Sequence, residues 1–153
     1  MSYYLRVYCA ADRLLDAKAL MDFIQEGYFF EEDPAFEDLE SARPPNQFSF
    51  AVRYSPDLRP ILISCTKDAT FIHDEISVLF TDIPPDLPEK YLQRLAKCNL
   101  LYCFEIKPDT LAEPAWEMLS CLEVYLAKQL NGLIYAPGDG LYDATMALIS
   151  KAE

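Results

Sequence analysis

At 153 residues, with hydrophobic residues making up 52% and aromatics 13%, the chain has the size and composition of one folded domain, residues 1–153, rather than of a disordered polymer. Thirteen Lys and Arg stand against twenty-five Asp and Glu, and the formal charge of -12 repels phosphate backbones and anionic lipid, so neither nucleic acid nor a membrane is an expected partner. The Lys and Arg residues are scattered singly, with no basic run to reverse that average locally.

Residues 3 to 9 alternate, Tyr3, Leu5, Val7 and Cys9 against Tyr4, Arg6 and Tyr8, which predicts a half-buried strand. From Leu14 to about Phe30 the period changes to i, i+4 through Leu15, Ala19 and Phe23 and through Leu20 and Ile24. A helix is expected there, capped by Asp12 and ending near Gly27. Residues 31 to 47 carry six acids in their first ten positions, three prolines and no sustained apolar period, and read as a long exposed loop. Phe48, Phe50, Val52 and Tyr54, then Ile61, Ile63 and Cys65, predict two strands joined as an antiparallel hairpin by the turn residues SPDLRP.

Between Thr70 and Ile83 two periods compete: Ile72, Ile76, Leu79, Phe80 and Ile83 fit a helix, whereas Ile76, Val78 and Phe80 fit a strand. We read a helix. A further helix is expected at about 87 to 98, after the PPDLP punctuation, and a strand from Leu100 to Ile106. The strongest helical stripe, Leu119, Leu122, Leu126 and Leu130, follows Pro114 and is expected to stop at Gly132. LIYA, the turn PGDG and LYDATMALI close the chain as a short hairpin with a frayed helical tail. This order predicts an α+β fold: a ferredoxin-like (split βαβ) antiparallel sheet with helices on one face, plus an extra C-terminal helix and short hairpin.

The chain offers little catalytic machinery. Only four glycines occur, so neither a phosphate-cradling loop nor a dinucleotide fingerprint can be written, and no cofactor is expected. His73 is the single histidine; Asp74 and Glu75 follow it, but adjacent helical residues point in different directions, and no HxxxH, CxxC or ExxH spacing supplies a metal site. There is no G-x-S-x-G elbow, and no catalytic residue is assigned. Four of the five cysteines (Cys9, Cys65, Cys98, Cys103 and Cys121) fall inside apolar patterns, as reduced, inert thiols do. The N-terminal MSYYLRVYCAADRLL lacks the basic and apolar regions of a signal peptide, and no window reaches a membrane span, so a cytoplasmic protein is expected.

Two surfaces are candidates for binding. One is the acidic stretch of Glu31, Glu32, Asp33, Phe36, Glu37, Asp38 and Glu40, which would face a basic protein partner with Phe29, Phe30 and Phe36 as aromatic anchors, the alternative being a solvated loop that keeps the protein soluble. The other is a sheet face bearing Tyr4, Arg6, Tyr8, Arg53 and Glu105, which is open unless the C-terminal helix or hairpin covers it. An open face could bind a protein, bind a small ligand (or support modest enzyme chemistry) at Arg6, Arg53 and the tyrosines, or pair two copies as a homodimer.

The stretch LAKQLNGLIYAPGDGLYDA, residues 126 to 144, resembles the helix-Gly-strand-turn-strand ending of small bacterial α/β families of uncharacterised or immunity-protein type. The resemblance implies a cytosolic, non-enzymatic protein that binds another protein, and it carries no functional residue across.

Overall fold

A computed structural model of the chain describes residues 2–39 and 46–153. Among the described residues, eight strands form one open sheet: β1 (Tyr3–Cys9), β2 (Ala35–Asp38), β3 (Asn46–Arg53), β4 (Ile61–Thr66), β5 (Leu100–Ile106), β6 (Gly132–Ala136), β7 (Gly140–Tyr142) and β8 (Leu148–Lys151). Four α-helices accompany them: α1 (Ala17–Glu26), α2 (Ala69–Asp82), α3 (Glu89–Ala96) and α4 (Glu113–Leu130). The strand order is β2-β3-β4-β5-β1-β6-β7-β8 and every neighbouring pair is antiparallel.

The α+β class and the antiparallel sheet agree with expectation, but the sheet is larger than a ferredoxin-like one, and the pairing does not confirm the ferredoxin-like detail. β1 lies between β5 and β6, and these two strands, each antiparallel to β1, run the same way and are joined by α4. The helices do not share one face. α1 and α4 bury Leu20, Ile24, Leu119, Leu122 and Leu126 against Leu5, Val7, Ile63 and Phe104. On the opposite face α2 and α3 bury Ile72, Leu79 and Leu95 against Tyr8, Leu101, Leu133 and Tyr135. Two apolar layers therefore sandwich the sheet, as its period-two strands require wherever both faces are buried.

Several boundaries differ from the sequence reading for local reasons. α1 begins at Ala17 because the Asp16 side chain, not that of Asp12, accepts the Ala19 N–H. Gly27 closes this helix, and a Cβ there would collide with the Phe29 ring. α2 is a helix, capped by Asp68 through the Phe71 N–H. α4 ends on Asn131 in the left-handed conformation at φ 53°, while Gly132 already belongs to β6. The hairpin of residues 48 to 65 is present as β3 and β4. The C-terminal segment makes three strands rather than a hairpin with a helical tail. Among the described residues, no helix is long and apolar enough to cross a membrane.

The expected loop at 31 to 47 is corrected most strongly. Residues 35 to 38 form an edge strand, with Phe36 opposite Val52 and Glu37 opposite Ala51. Phe29 packs beside Phe23 at 6.3 Å between ring centroids, Phe30 stacks on Tyr54 at 5.2 Å, and Phe36 meets Phe50 edge-on at 6.2 Å. The three rings thus join the core instead of anchoring a surface. Glu40 lies outside the described residues.

Candidate functional site: a trough on the sheet

The face that carries α2 and α3 is only half covered. Register aligns its side chains in three rows across β1, β5 and β4: Tyr8–Leu101–Thr66, Arg6–Cys103–Ser64 and Tyr4–Glu105–Leu62. The first row is buried beneath the helices. In the second row every residue is half-exposed, and in the third Tyr4 emerges to 39% exposure. Along β4 and β5 the buried and half-buried positions alternate, so the strands are sealed on the α1–α4 side and partly open on this one.

The opening is a trough. At one end a recess of about 370 Å³ is lined by Tyr4, Arg6, Ser64, Phe71, Glu75 and Cys103. It adjoins a second recess of about 190 Å³, which shares Tyr4, Ser64 and Cys103 and continues to Leu62, Ser49 and Leu39. From β1 to β3 the trough crosses three strand spacings, about 14 Å.

Two carboxylates line it and a third stands farther out at the β2 edge, and each meets an arginine. Glu75 Oε2 lies 2.8 Å from Arg6 Nε at the α2 wall, Glu105 Oε2 3.0 Å from Arg59 Nη2, and Glu37 Oε2 2.7 Å from Arg53 Nη2 at the β2 edge. The Arg6–Glu75 contact is an ion pair without hydrogen-bond geometry, so the buried Glu75 Oε2 accepts no hydrogen bond. Arg6 is also held by the Tyr4 carbonyl, to which its Nη1 donates at 3.1 Å, and its guanidinium lies 5.8 Å and 5.9 Å from the Tyr4 and Tyr135 ring centroids.

Of the five residues expected on this face, all have the predicted orientation, but they do not make one site. Tyr4, Arg6 and Glu105 border the trough. Tyr8 is 2% exposed, and burial pushes its phenol strongly upward. Arg53 stands three strands from Arg6, bound to Glu37. The alternative in which the C-terminal helix or hairpin covers the face is also corrected: α4 lies on the other side, and α2 and α3 provide the partial cover. Sequence reasoning missed Phe71 and Glu75, because only the packing of α2 brings them to the sheet. It also passed over Leu62, Ser64 and Cys103, although their alternation against Ile61, Ile63 and Phe104 places them on this face.

The acidic candidate is partly dispersed. Glu31, Glu32, Asp33, Glu37 and Asp38 are exposed near the β2 edge, with Glu37 neutralised by Arg53. His73 and Asp74 are exposed on α2 while Glu75 turns inward, as their adjacent positions on a helix require. Among the described residues, no group of three or more His, Cys, Asp or Glu is placed to hold a metal ion.

Burial raises the thiols, pushing Cys65 up to about 12 and Cys98 and Cys103 each up to about 11, with Cys9 held well above its ordinary value. Cys121 alone among the five is exposed. A thiol reagent at neutral pH should therefore label one cysteine rapidly in the native protein, identified as Cys121 by peptide mass spectrometry, and all five after unfolding. Equally fast labelling at a second position would contradict the burial pattern.

Comparison of the chain with family models, with curated proteins and with solved structures finds no match.

Proposed function

We propose that this chain is a cytosolic, non-enzymatic protein-binding module, regulatory or immunity-like, whose sheet trough receives a segment of a partner protein. The observation that carries the reading is the half-open apolar and hydroxyl floor of Tyr4, Leu62, Ser64 and Cys103, flanked by the ion pairs Arg6–Glu75 and Arg59–Glu105. A less polar centre inside a charged rim is how protein interfaces are built. A length of about 14 Å suits about four residues of extended chain. The overall charge of -12 favours a partner with basic residues beside its apolar anchor.

The test is an array of short peptides combining aromatic or aliphatic anchors with Lys and Arg, probed with the wild type and with Ser64→Tyr, which fills the trough where its two recesses meet. The best peptides should bind Ser64→Tyr at least about tenfold more weakly, a change of about 1.4 kcal/mol, while its thermal unfolding stays near that of the wild type. Peptides that bind both proteins equally would overturn the proposal. A second reading, a small-ligand binder, rests on Glu75 Oε2, which is ion-paired with Arg6 but accepts no hydrogen bond at the wall of a recess of about 370 Å³, within the usual size range of ligand pockets. Binding of small cations or amides that is lost in Glu75→Gln, with no peptide selected, would favour it.

A further inference from the structure

A second feature lies away from the trough. Lys90, Gln93 and Arg94 on α3 and Lys97 at its C-cap follow i, i+3, i+4 and i+7 spacing, so a sequence without any basic run folds into a short cationic stripe. With Ala10 and Asn131 these residues line a recess of about 140 Å³ between the end of α3 and the end of α4. Lys90 and Arg94 both lie against the Tyr91 ring, at 4.9 Å and 5.8 Å from its centroid, which restrains them beside one another. Among the described residues, Arg6, Lys18, Arg53 and Arg59 have carboxylate partners, whereas Lys90, Arg94 and Lys97 form no ion pair. Asp143 feels Arg94 more distantly, but its Oδ1 is already engaged by Thr145 N, Thr145 Oγ1 and Ala147 N.

The geometry points to an oxyanion site here, one that takes a phosphoryl group. Cations near a helix C-terminus are also placed to offset the helix dipole, but that end carries only about half a negative charge. The α4 end has its own partners: Arg13 donates to Gln129 O at 3.4 Å and the Ala10 N–H to Leu130 O at 3.2 Å. Three cations, less the half charge of the dipole and the more distant Asp143 carboxylate, leave a surplus of between about one and two positive charges, in the range carried by phosphate, with the Gln93 and Asn131 carboxamides as neutral donors. Like charges at i, i+4 repel within α3, and a bound anion relieves that repulsion. The overall charge of -12 does not prevent contact binding, since exposed charges beyond about 8–10 Å are screened at physiological salt.

The probes are inorganic phosphate and phenyl phosphate, titrated into the isotopically labelled full chain at constant ionic strength set with sodium chloride, and followed by backbone amide shifts. Saturable shifts confined to residues 89–98, 10 and 131 are expected, weakened at least about tenfold in the double variant Arg94→Gln with Lys97→Gln and unaltered in Lys18→Gln. Stronger binding of phenyl phosphate identifies a phosphomonoester as the natural form, and stronger binding of inorganic phosphate the free ion. A flat titration to about 10 mM, far weaker than the roughly micromolar range of small-molecule recognition, overturns the proposal. So do shifts that map elsewhere or an undiminished response in the double variant, and unchanged amide dispersion in that variant shows that its fold is intact.

Discussion

Replacing Glu123 by Gln is expected to stabilise the protein at alkaline pH and to leave it nearly unchanged in acid. Glu123 lies on the buried face of α4, 5% exposed, and among the described residues it has neither a hydrogen-bond partner nor an ion-pair partner. Burial alone pushes its carboxyl from 4.5 up to about 8. The folded state thus holds this proton more tightly than the unfolded chain does. The stability that protonated Glu123 contributes is fully present below about pH 4.5, declines as pH rises and is lost once pH passes about 8. The full difference is on the order of 5 kcal/mol, a large fraction of the stability of an ordinary domain. Gln keeps the shape and cannot ionise. Urea unfolding at pH 4, 7 and 9 should show the Gln variant ahead of the wild type by a margin that grows with pH. A margin that is constant across the three would mean that Glu123 titrates normally in the fold.

Tyr102→Phe should cost about 2–4 kcal/mol, although it removes a single oxygen atom. The Tyr102 ring is fully buried on β5, and its hydroxyl accepts a hydrogen bond from Leu15 N at 3.0 Å while donating to Leu15 O at 2.7 Å. Both backbone groups of a buried residue would lose their partner, and an unmet buried amide or carbonyl costs about 1–3 kcal/mol. The hydroxyl also pins the segment that carries the chain from β1 into α1. Asn99 makes a comparable pair of bonds to Ala11, accepting from its N at 3.0 Å and donating to its O at 2.6 Å, but in an exposed setting where water can substitute. Asn99→Ala should therefore cost less than about 1 kcal/mol. Chemical denaturation of both variants checks the contrast, and hydrogen exchange at the Leu15 amide should accelerate in Tyr102→Phe alone. Equal losses for the two variants would show that burial is not what makes the Tyr102 bonds valuable.

How far the residues could be read on their own varied with how many apolar positions each element contributes. The seven residues of β1 point to alternate faces, although Val7, Tyr8 and Cys9 are all buried because both faces are covered there, and all three candidate side chains on that strand have the predicted orientation. In α2 the strand reading grouped Ile76, Val78 and Phe80. The helix instead buries Ile72 and Leu79 and leaves Val78 51% exposed, which a stretch of fourteen residues with two overlapping periods did not distinguish. β2 contributes four residues, of which Phe36 alone packs inward, so its sequence carries no alternation to detect. Acidity made the same residues resemble loop, yet an edge strand facing solvent tolerates charge well.

The trough was legible in fragments. Tyr4, Arg6 and Glu105 could be assigned to one face because period two is a local property of each strand. Their neighbours Phe71 and Glu75 come from a helix more than sixty positions from Tyr4 and Arg6, and Arg59 reaches Glu105 from another turn. The stripe on α3 shows the same division: the spacing of Lys90, Arg94 and Lys97 was present in the sequence, but it became a concave charged surface only where α3 meets the end of α4.

By itself, the sequence determined the α+β class, the inward side of the long strands and helices, the scarcity of catalytic motifs and a strongly negative field. These follow from composition and from periods of 2 and 3.6, which each short segment expresses alone. Tertiary structure decided the strand order, the division of the helices between two faces, the separation of Arg53 from Arg6 and the half-covered state of the sheet. Those depend on contacts between distant residues, where several packings can satisfy the same local pattern and the choice among them rests on burial and pairing summed over the whole chain.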